Sequence, residues 1–196
     1  MVGLHGSPLR KPYSIASAPW EVAKTGVLQL LAQVDDSSAL DPHLELAAPG
    51  TLLDLDGPFG AFALPAAAEH KPLFFLAGGT GIAPLRSMLM DRLSRPSVPA
   101  IALVYSARSP EEFAYRAELD AMVQAGRLTA FFTVTRADAE SWDGRRGRIQ
   151  EDLLRLALPS TDAQCLICGP PQLVEGARVL LQQMGVVDAN ILTDNY

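Results

Sequence analysis

Cysteine is scarce in this chain, and its scarcity excludes several kinds of metal and disulfide chemistry. Of the 196 residues, only Cys165 and Cys168 are cysteines. An iron–sulfur cluster is held by four ligands, usually thiolates, so any such cluster would belong to another chain. Both cysteines fall in a predicted buried strand, where residues three apart face opposite sides. We therefore expect no disulfide between them and no metal site.

Basic residues and long apolar runs are also in short supply. Lys and Arg number 16 against 22 Asp and Glu, which gives a formal net charge of −6 and a pI near 5.0. Non-specific nucleic-acid binding requires clustered cations, so this balance argues against a nucleic-acid partner. No apolar run approaches the roughly 20 residues of a membrane span, and the first residues lack the apolar core of a signal peptide. We expect a cytoplasmic protein without a membrane span.

The apolar pattern changes near residue 66. Before that point, short extended segments at 13–16, 27–34 and 52–55 are separated by Gly, Pro and Asp, which is typical of antiparallel β structure. After it, strands predicted at 73–77, 100–105, 128–134 and 165–168 alternate with helices predicted at 83–94, 110–124, 149–156 and 171–184. The expected fold class is α/β. Antiparallel β structure over 1–66 is expected to precede a parallel sheet with flanking helices over 67–196.

The strongest chemical signal is a glycine-rich turn between a predicted strand and a predicted helix. The turn and the start of the helix contain Gly78, Gly79, Thr80, Gly81, Ile82, Ala83 and Pro84. Glycines let the backbone approach a pyrophosphate, and a helix N-terminus offers unpaired N–H groups, so we expect a side chain at Gly81 to block the ligand. The turn lacks the Gly-Lys-Ser/Thr ending of a nucleoside triphosphatase loop. A purely structural turn is the alternative interpretation.

A second turn follows the strand that contains both cysteines. Its residues are Cys168, Gly169, Pro170 and Pro171, directly before another predicted helix. Because the carboxyl ends of parallel strands meet at one edge of a sheet, both turns are expected to face one ligand. The thiol of Cys168 would then lie beside a bound dinucleotide, although a small core residue is the alternative.

Taken together, the motifs identify a resemblance to the ferredoxin–NADP reductase family. The two turns, Gly57-Pro-Phe-Gly60, Tyr105-Ser-Ala-Arg108 and Pro12-Tyr-Ser-Ile-Ala-Ser17 occur in the family's order over nearly the whole chain. The resemblance implies a partial antiparallel β-barrel that binds flavin over 1–66, followed by a parallel-sheet nucleotide-binding domain for NAD(P) over 67–196. It also implies an enzyme that transfers hydride between NAD(P)H and a flavin. FAD is favoured over FMN, whereas NADP and NAD remain equally open.

The resemblance also implies roles for residues on the flavin side. It places Tyr13 against the flavin ring and Ser14 near the flavin N5, with Lys11 and its neighbour Arg10 near phosphate. Ser14 and Cys168 would flank the site of hydride transfer.

The chain ends Asp194-Asn-Tyr196, which is similar to the Glu-x-Tyr ending of plant-type members. Tyr196 would cover the flavin, and Asp194 would be a carboxylate partner. Thr135 and Arg136 resemble the pair that binds the 2′-phosphate of NADP, and Arg108, Arg145 and Arg146 are positioned in the sequence to assist.

Family barrels begin with strands that precede the Tyr-Ser motif, whereas here 12 residues precede Tyr13. We therefore expect an open barrel with exposed apolar faces, weak flavin binding and a homodimer formed through the open edge. The electron acceptor is open between ferredoxin, an oxygenase component, a haem protein and a small acceptor. The alternative function is that of a non-catalytic subunit or fragment that binds nucleotide or flavin and docks on a partner.

Overall fold

The computed structural model describes residues 1–33, 44, 47–96, 99–136 and 142–195. The strands are β1 (Val2–Leu4), β2 (Leu53–Leu55), β3 (Leu73–Gly78), β4 (Ile101–Ala107), β5 (Thr129–Val134), β6 (Arg145–Arg146), β7 (Gln164–Gly169) and β8 (Ile191–Asn195). The helices are α1 (Pro19–Thr25), α2 (Ile82–Leu93), α3 (Arg116–Gln124), α4 (Glu151–Ala157) and α5 (Pro171–Gln183). The α/β class and the alternation after residue 66 are confirmed.

Six strands form a parallel sheet in the order β6-β5-β4-β3-β7-β8. The chain enters at the central strand β3, builds outward on one side through β4 and β5, and then returns to the other side of β3 with β7. The strand order thus reverses beside β3, and ligands bind outside the carboxyl ends of the strands at such a reversal.

The core consists of two layers because successive residues of a strand point to opposite faces. On β3, Phe75 belongs to the layer covered by α2 and α3, whereas Phe74 belongs to the layer covered by α4 and α5. The two cysteines of β7 divide in the same way. Cys168 lies in the first layer and Cys165 in the second, and both are free thiols, which confirms the expectation of no disulfide.

The described part of the N-terminal region, residues 1–33, 44 and 47–65, contains much less sheet than its sequence predicts. β1 and β2 pair in antiparallel register, with Val2 opposite Leu55. The strands predicted at 13–16 and 27–34 are wrong for the described residues, since only an isolated bridge joins Ile15 to Leu30. Residues 13–33 lack a continuous neighbouring strand in the described structure, and a segment without such a neighbour cannot form a ladder of hydrogen bonds.

Helix α1 occupies a stretch for which no helix was predicted, yet its ends carry recognisable signals. Pro19 occupies the first turn of the helix. The Glu21 carboxylate accepts a hydrogen bond from the N–H of Ala18 at 2.7 Å and thereby caps the helix N-terminus. Gly26 ends the helix with φ 68° in the left-handed region. The Pro-x-Glu start and the glycine stop were available in the sequence.

Three further details differ from the sequence-based prediction. The helix predicted from 110 begins as a 3-10 turn, Pro110–Glu112, and α3 starts only at Arg116. Phe113 interrupts the helix because its ring is buried in the core. Strands β6 and β8 were not anticipated: β6 is only two residues long, and β8 lies close to the C-terminus.

Apolar side chains are exposed in the N-terminal region, as expected for the segments 27–34 and 52–55. Leu52 is 70% exposed, Leu55 58% and Val27 54%, and Phe59 after β2 is 71% exposed. None of the helices in the described ranges combines the length and apolarity needed to cross a membrane.

Helix α4 offers a matched test of the second core layer. Leu154 is fully buried against the sheet, whereas Leu156 is 63% exposed on the same helix. Because truncation of a buried leucine leaves a cavity, Leu154→Ala is expected to lower the free energy of unfolding by about 2–5 kcal/mol. Leu156→Ala should change it by about 0.5 kcal/mol or less. Urea denaturation of both variants measures the difference, and equal effects would contradict this assignment of the core.

Candidate functional site

A cleft of about 430 Å³ opens at the carboxyl edge of the parallel sheet. Both turns singled out in the sequence border it, together with the ends of β4 and β5 and one side of α5. Its lining residues are Gln33, Gly78, Gly79, Ser106, Ala107, Arg108, Glu112, Thr135, Arg148, Ile149, Pro170, Gln172, Leu173, Gly176, Ala177 and Leu180. The volume falls within the range of small-molecule and cofactor sites.

The first turn is a 3-10 turn, Gly79–Gly81, that joins β3 to α2. Gly79 has φ 52°, which is the left-handed region that glycine tolerates best. Its carbonyl accepts the hydroxyl of Tyr105 at 3.0 Å, so a fully buried side chain of β4 supports the turn from beneath. Thr80 is half-buried beside Gly79.

Close packing within the protein itself requires a glycine at position 81. A Cβ at this position would lie 2.2 Å from the Cys168 carbonyl oxygen and 2.9 Å from the Gly169 nitrogen. A side chain there would therefore push the turn away from β7, whether or not a ligand is bound. This differs from the expectation that a Gly81 side chain would meet chiefly the pyrophosphate, and substitution of Gly81 does not test ligand binding alone.

The start of α2 is packed into the protein. Ile82, Ala83 and Pro84 are buried, and Ile82 belongs to the first core layer. Their side chains thus hold the helix against the sheet. Any contact from this stretch to an anion would come from main-chain N–H groups of the turn and first helical residues, the donors that a helix N-terminus leaves unpaired.

The second turn lies directly against the first. A Cβ on Gly169 would lie 3.1 Å from the Gly78 backbone, and one on Gly78 would lie 2.9 Å from Pro170 and Leu173. Pro170 lines the cleft, and Pro171 is the first residue of α5, where the missing N–H costs no helical hydrogen bond.

Cys168 lies at the end of β7 and is only 2% exposed. It is paired in register with Ala77 of β3 and Asp194 of β8. Burial, with a smaller contribution from the Asp194 carboxylate, raises the pKa of Cys168 to about 12. Burial alone raises the pKa of Cys165 to about 12 as well. Cys168 is therefore a neutral thiol near neutral pH, which disfavours nucleophilic chemistry.

The arginines near the cleft divide into those that line it and those engaged elsewhere. Arg108 and Arg148 line it, as does Thr135. Arg136 is exposed and its N–H donates to the Arg108 carbonyl at 2.8 Å, but among the described residues it is not part of the lining. Arg145 pairs with Asp152, and Arg146 donates to the Trp142 carbonyl.

Sequence reasoning missed Arg148, the third arginine of the run from 145. Gly147 places it, because the Gly147 N–H donates to Val134 at 2.8 Å and its carbonyl accepts the Thr133 hydroxyl at 2.8 Å. The loop is thereby fixed to the end of β5. The arginine cluster was visible in the sequence, but the choice among its members depends on this backbone contact.

On the flavin side, the neighbouring residues Arg10 and Lys11 differ in exposure. Tyr13 and Ser14 are half-buried. The Arg10 guanidinium donates to the Asp54 carboxylate and the Ser7 carbonyl, both at 2.7 Å, whereas Lys11 is exposed. The predicted covering residue Tyr196 and the stretch 34–43 lie outside the described residues.

Comparisons with known proteins agree on one family. Residues 75–179, more than half of the chain, match the model of the oxidoreductase NAD-binding domain. The chain is 32% identical to ferredoxin–NADP reductase B of Sorangium cellulosum, over 98% of this chain and 80% of that protein. It is 25% identical to the electron transfer component of anthranilate 1,2-dioxygenase from Acinetobacter baylyi, over 95% of this chain and 53% of that protein.

The chain thus spans about half the length of some of the curated relatives that it matches. Among solved structures, it superimposes with a TM-score of 0.75 on a ferredoxin–NADP+ reductase from Neisseria gonorrhoeae that has FAD and NADP bound. That match has 25% identity and covers 99% of this chain and 83% of that one. These similarities, with the fold and the paired turns, show that the chain belongs to the ferredoxin–NADP reductase family and contains an oxidoreductase NAD-binding domain.

Proposed function

We propose that this chain is the reductase portion of an electron-transfer flavoenzyme. It binds a nicotinamide dinucleotide in the cleft, binds flavin beside Tyr13 and Ser14, and delivers electrons from the flavin to an acceptor. The observation that carries the proposal is the meeting of two glycine turns at one cleft, beside the point where the strand order reverses. Dinucleotides bind at this position in open parallel sheets.

The residues present fit a dinucleotide. The start of α2 has no side-chain cap at Gly81, so its first N–H groups and the helix dipole are suited to stabilise a pyrophosphate. Arg108, Arg148 and Thr135 supply polar contacts at the ends of β4 and β5. Leu173, Ala177 and Leu180 give one side of the cleft an apolar surface. This combination of an apolar wall and few polar groups is typical of cofactor sites.

The residues on the flavin side fit a bound flavin in part. Tyr13 offers an aromatic face and Ser14 a hydroxyl, on a segment that is anchored to α2 by hydrogen bonds. The phosphate contact on this side stays assigned to Lys11 with Arg10 beside it, and the Arg10 guanidinium also donates to the Asp54 carboxylate. FAD is favoured because the family relative from Neisseria gonorrhoeae holds FAD.

When bound together, the two cofactors supply hydride transfer between nicotinamide and flavin. The protein's own contribution is positioning. The Ser14 hydroxyl can donate or accept a hydrogen bond at the flavin edge. Cys168 remains protonated, so it fills space at the mouth of the sheet and offers at most a weak S–H donor. Asp194 provides a carboxylate next to it on β8, and the covering role of Tyr196 stays a prediction.

The acceptor belongs to the same proposal. The named relatives serve a dioxygenase or ferredoxin, and we propose an acceptor of this electron-carrier kind, with a haem protein or a small acceptor as alternatives. Self-association through the exposed β1–β2 edge also stays a prediction, motivated by the exposure of Leu52 and Leu55.

The central test is reduction of bound flavin. FAD is titrated into the purified chain without oxygen, and NADPH or NADH is then added. We expect the yellow absorbance of oxidised flavin to disappear, with weak flavin binding because apolar faces of the N-terminal region are uncovered. Dinucleotide binding without bleaching would favour the non-catalytic alternative. Tight, stoichiometric flavin in a monomer would contradict the expected weakness of the flavin site.

The dinucleotide cleft is tested at Gly176 of α5. A Cβ there meets nothing within 4 Å, and the residue lines the cleft, so a substitution does not clash with the protein. Gly176→Ala is expected to stabilise the helix by about 0.5–1 kcal/mol. Gly176→Leu should fold equally well but occupy the cleft. Calorimetric titration is expected to show at least about tenfold weaker dinucleotide binding for the Leu variant, or about 1.4 kcal/mol. Equal affinities in both variants would place the ligand elsewhere.

The choice between NADPH and NADH is tested by comparing two arginines. Because Arg148 lines the cleft and Arg136 does not, Arg148→Ala should change the ratio of kcat/KM for NADPH and NADH more than Arg136→Ala. A charge-assisted contact to the 2′-phosphate contributes about 1.5–3 kcal/mol, so the ratio should fall by roughly 10- to 100-fold. A larger change of this ratio in Arg136→Ala would instead support the prediction from the sequence that Arg136 binds the 2′-phosphate. Equal losses for both nucleotides in both variants would mean that neither arginine reads the phosphate.

A further inference from the structure

Arg86 is a buried cation whose hydrogen-bonding capacity is completely used. It lies on α2 and is 4% exposed. Its Nε and Nη2 donate to the Glu118 carboxylate at 2.6 Å each, and Nη1 and Nη2 donate to the Glu21 carboxylate at 3.1 Å each. Nη1 also donates to the Ala16 carbonyl at 2.8 Å. These contacts account for all five N–H donors of a guanidinium.

An aromatic ring completes this Arg86 cluster, which consists of Arg86, Glu21, Glu118, Ala16 and Tyr115. The guanidinium carbon lies 4.8 Å from the centre of the Tyr115 ring. Tyr115 has φ 59°, an uncommon conformation for a residue with a side chain. Such a conformation persists where the surrounding structure fixes it, and here the contact with Arg86 is part of that surrounding structure.

The cluster joins the flavin-side segment to the helix that follows the glycine turn. Ala16 and Glu21 belong to the N-terminal region, Arg86 to α2, and Glu118 to α3. Two further hydrogen bonds run parallel to it, from the Ser87 hydroxyl to the Ser17 carbonyl at 2.9 Å and from Trp20 Nε1 to the Met90 carbonyl at 3.2 Å. Residues 16–20 are thus held along α2 at successive points.

The contacts of Arg86 and Glu21 favour the charged form of each. Burial acts to raise the pKa of Glu21, but hydrogen bonds from Arg86 and from the Ala18 N–H outweigh it and the pKa lies below its usual value. Burial acts to lower the pKa of Arg86, but hydrogen bonds to Glu118 and Glu21 raise it overall. Buried ion pairs are weak sources of net stability, and their best-attested use is to fix one arrangement over others.

We propose that Arg86 is a positioning residue that fixes the Tyr13–Ser14 segment relative to the Gly79–Gly81 turn. The inference rests on the proposed function, because the two cofactors would lie on these two segments. In this proposal Arg86 itself contacts neither the flavin nor the dinucleotide. It acts through the Ala16 carbonyl, three residues from Tyr13, and through its own helix, which begins at the glycine turn. A lysine cannot replace it, since an ammonium has three donors and no planar fork.

The first measurement is hydrogen exchange on the protein without cofactors. In Arg86→Met and Arg86→Lys, residues 15–18 and 29 should lose protection, since the Ala16 N–H donates to Gln29 and the Gln29 N–H donates to the Ser17 hydroxyl. Protection of β3 and β7 should be unchanged. The control is Leu154→Ala, which destabilises the protein at a site outside the cluster. Unchanged protection of 15–18 in the Arg86 variants would overturn the proposal, whether or not the chain proves to be a reductase.

The second measurement is the rate of flavin reduction by the dinucleotide in rapid mixing. Because small misplacements of reacting groups cost up to about 100-fold in rate, Arg86→Met is expected to slow reduction by about 10- to 100-fold. The rate is measured at saturating flavin, and the dissociation constant for the dinucleotide should change by less than about threefold, since Arg86 does not contact it. Leu154→Ala should retain the wild-type rate.

If Arg86→Met fails to fold, Glu118→Gln replaces it, because this side chain is 31% exposed and keeps its shape. A normal reduction rate despite lost protection would show that the cluster is merely structural and would overturn the positioning role. Absence of flavin reduction in the wild-type protein would instead contradict the proposed function, and the exchange experiment would still decide whether the cluster holds residues 15–18.

Discussion

The close approach of two backbone turns is the constraint on which the site depends. The turn after β3 and the turn after β7 touch without intervening side chains: the Cβ position of Gly81 is 2.2 Å from the Cys168 carbonyl, and that of Gly169 is 3.1 Å from Gly78. Because β3 and β7 are adjacent parallel strands, both turns open in the same direction. The cleft, the start of α2 and the place of Pro170 all follow from this contact.

The same contact fixes the direction of α2, and α2 in turn positions the N-terminal region. Along one side of the helix, the side chains of Arg86 and Ser87 donate hydrogen bonds to residues 16 and 17. The Met90 carbonyl accepts one from Trp20. Residues 16–20, which form no continuous strand, are therefore held in place by a helix that packs on the parallel sheet. This arrangement explains how residues 13–17 can be half-buried or buried although neither 13–16 nor 27–33 forms a continuous strand.

The sequence predicted the central strands β3, β4 and β7 well because each of them is buried on both faces. A run such as Leu73–Gly78, bounded by a glycine turn, has few alternative structures. The same pattern failed for 13–16 and 27–33, where the apolar residues depend on neighbours that a local pattern does not reveal. Helix α1 was missed for a different reason: it is seven residues long and has no buried face, so its only signals are at its ends. At the site, the glycine turns could be found from residue type, whereas Arg148 and the engagement of Arg10 by Asp54 depend on contacts between residues distant in the sequence.

The burial of both thiols has a consequence for the chemical durability of the protein. Oxidants such as peroxides attack the thiolate, and at pH 7 a group with a pKa of about 12 is ionised in about one molecule in 10⁵. Cys165 and Cys168 are each 2% exposed or less, so access is restricted as well. Both sulfur atoms of β7 are thus protected from sulfenic acid formation, and cysteine oxidation should not disturb the strand that leads into the second turn.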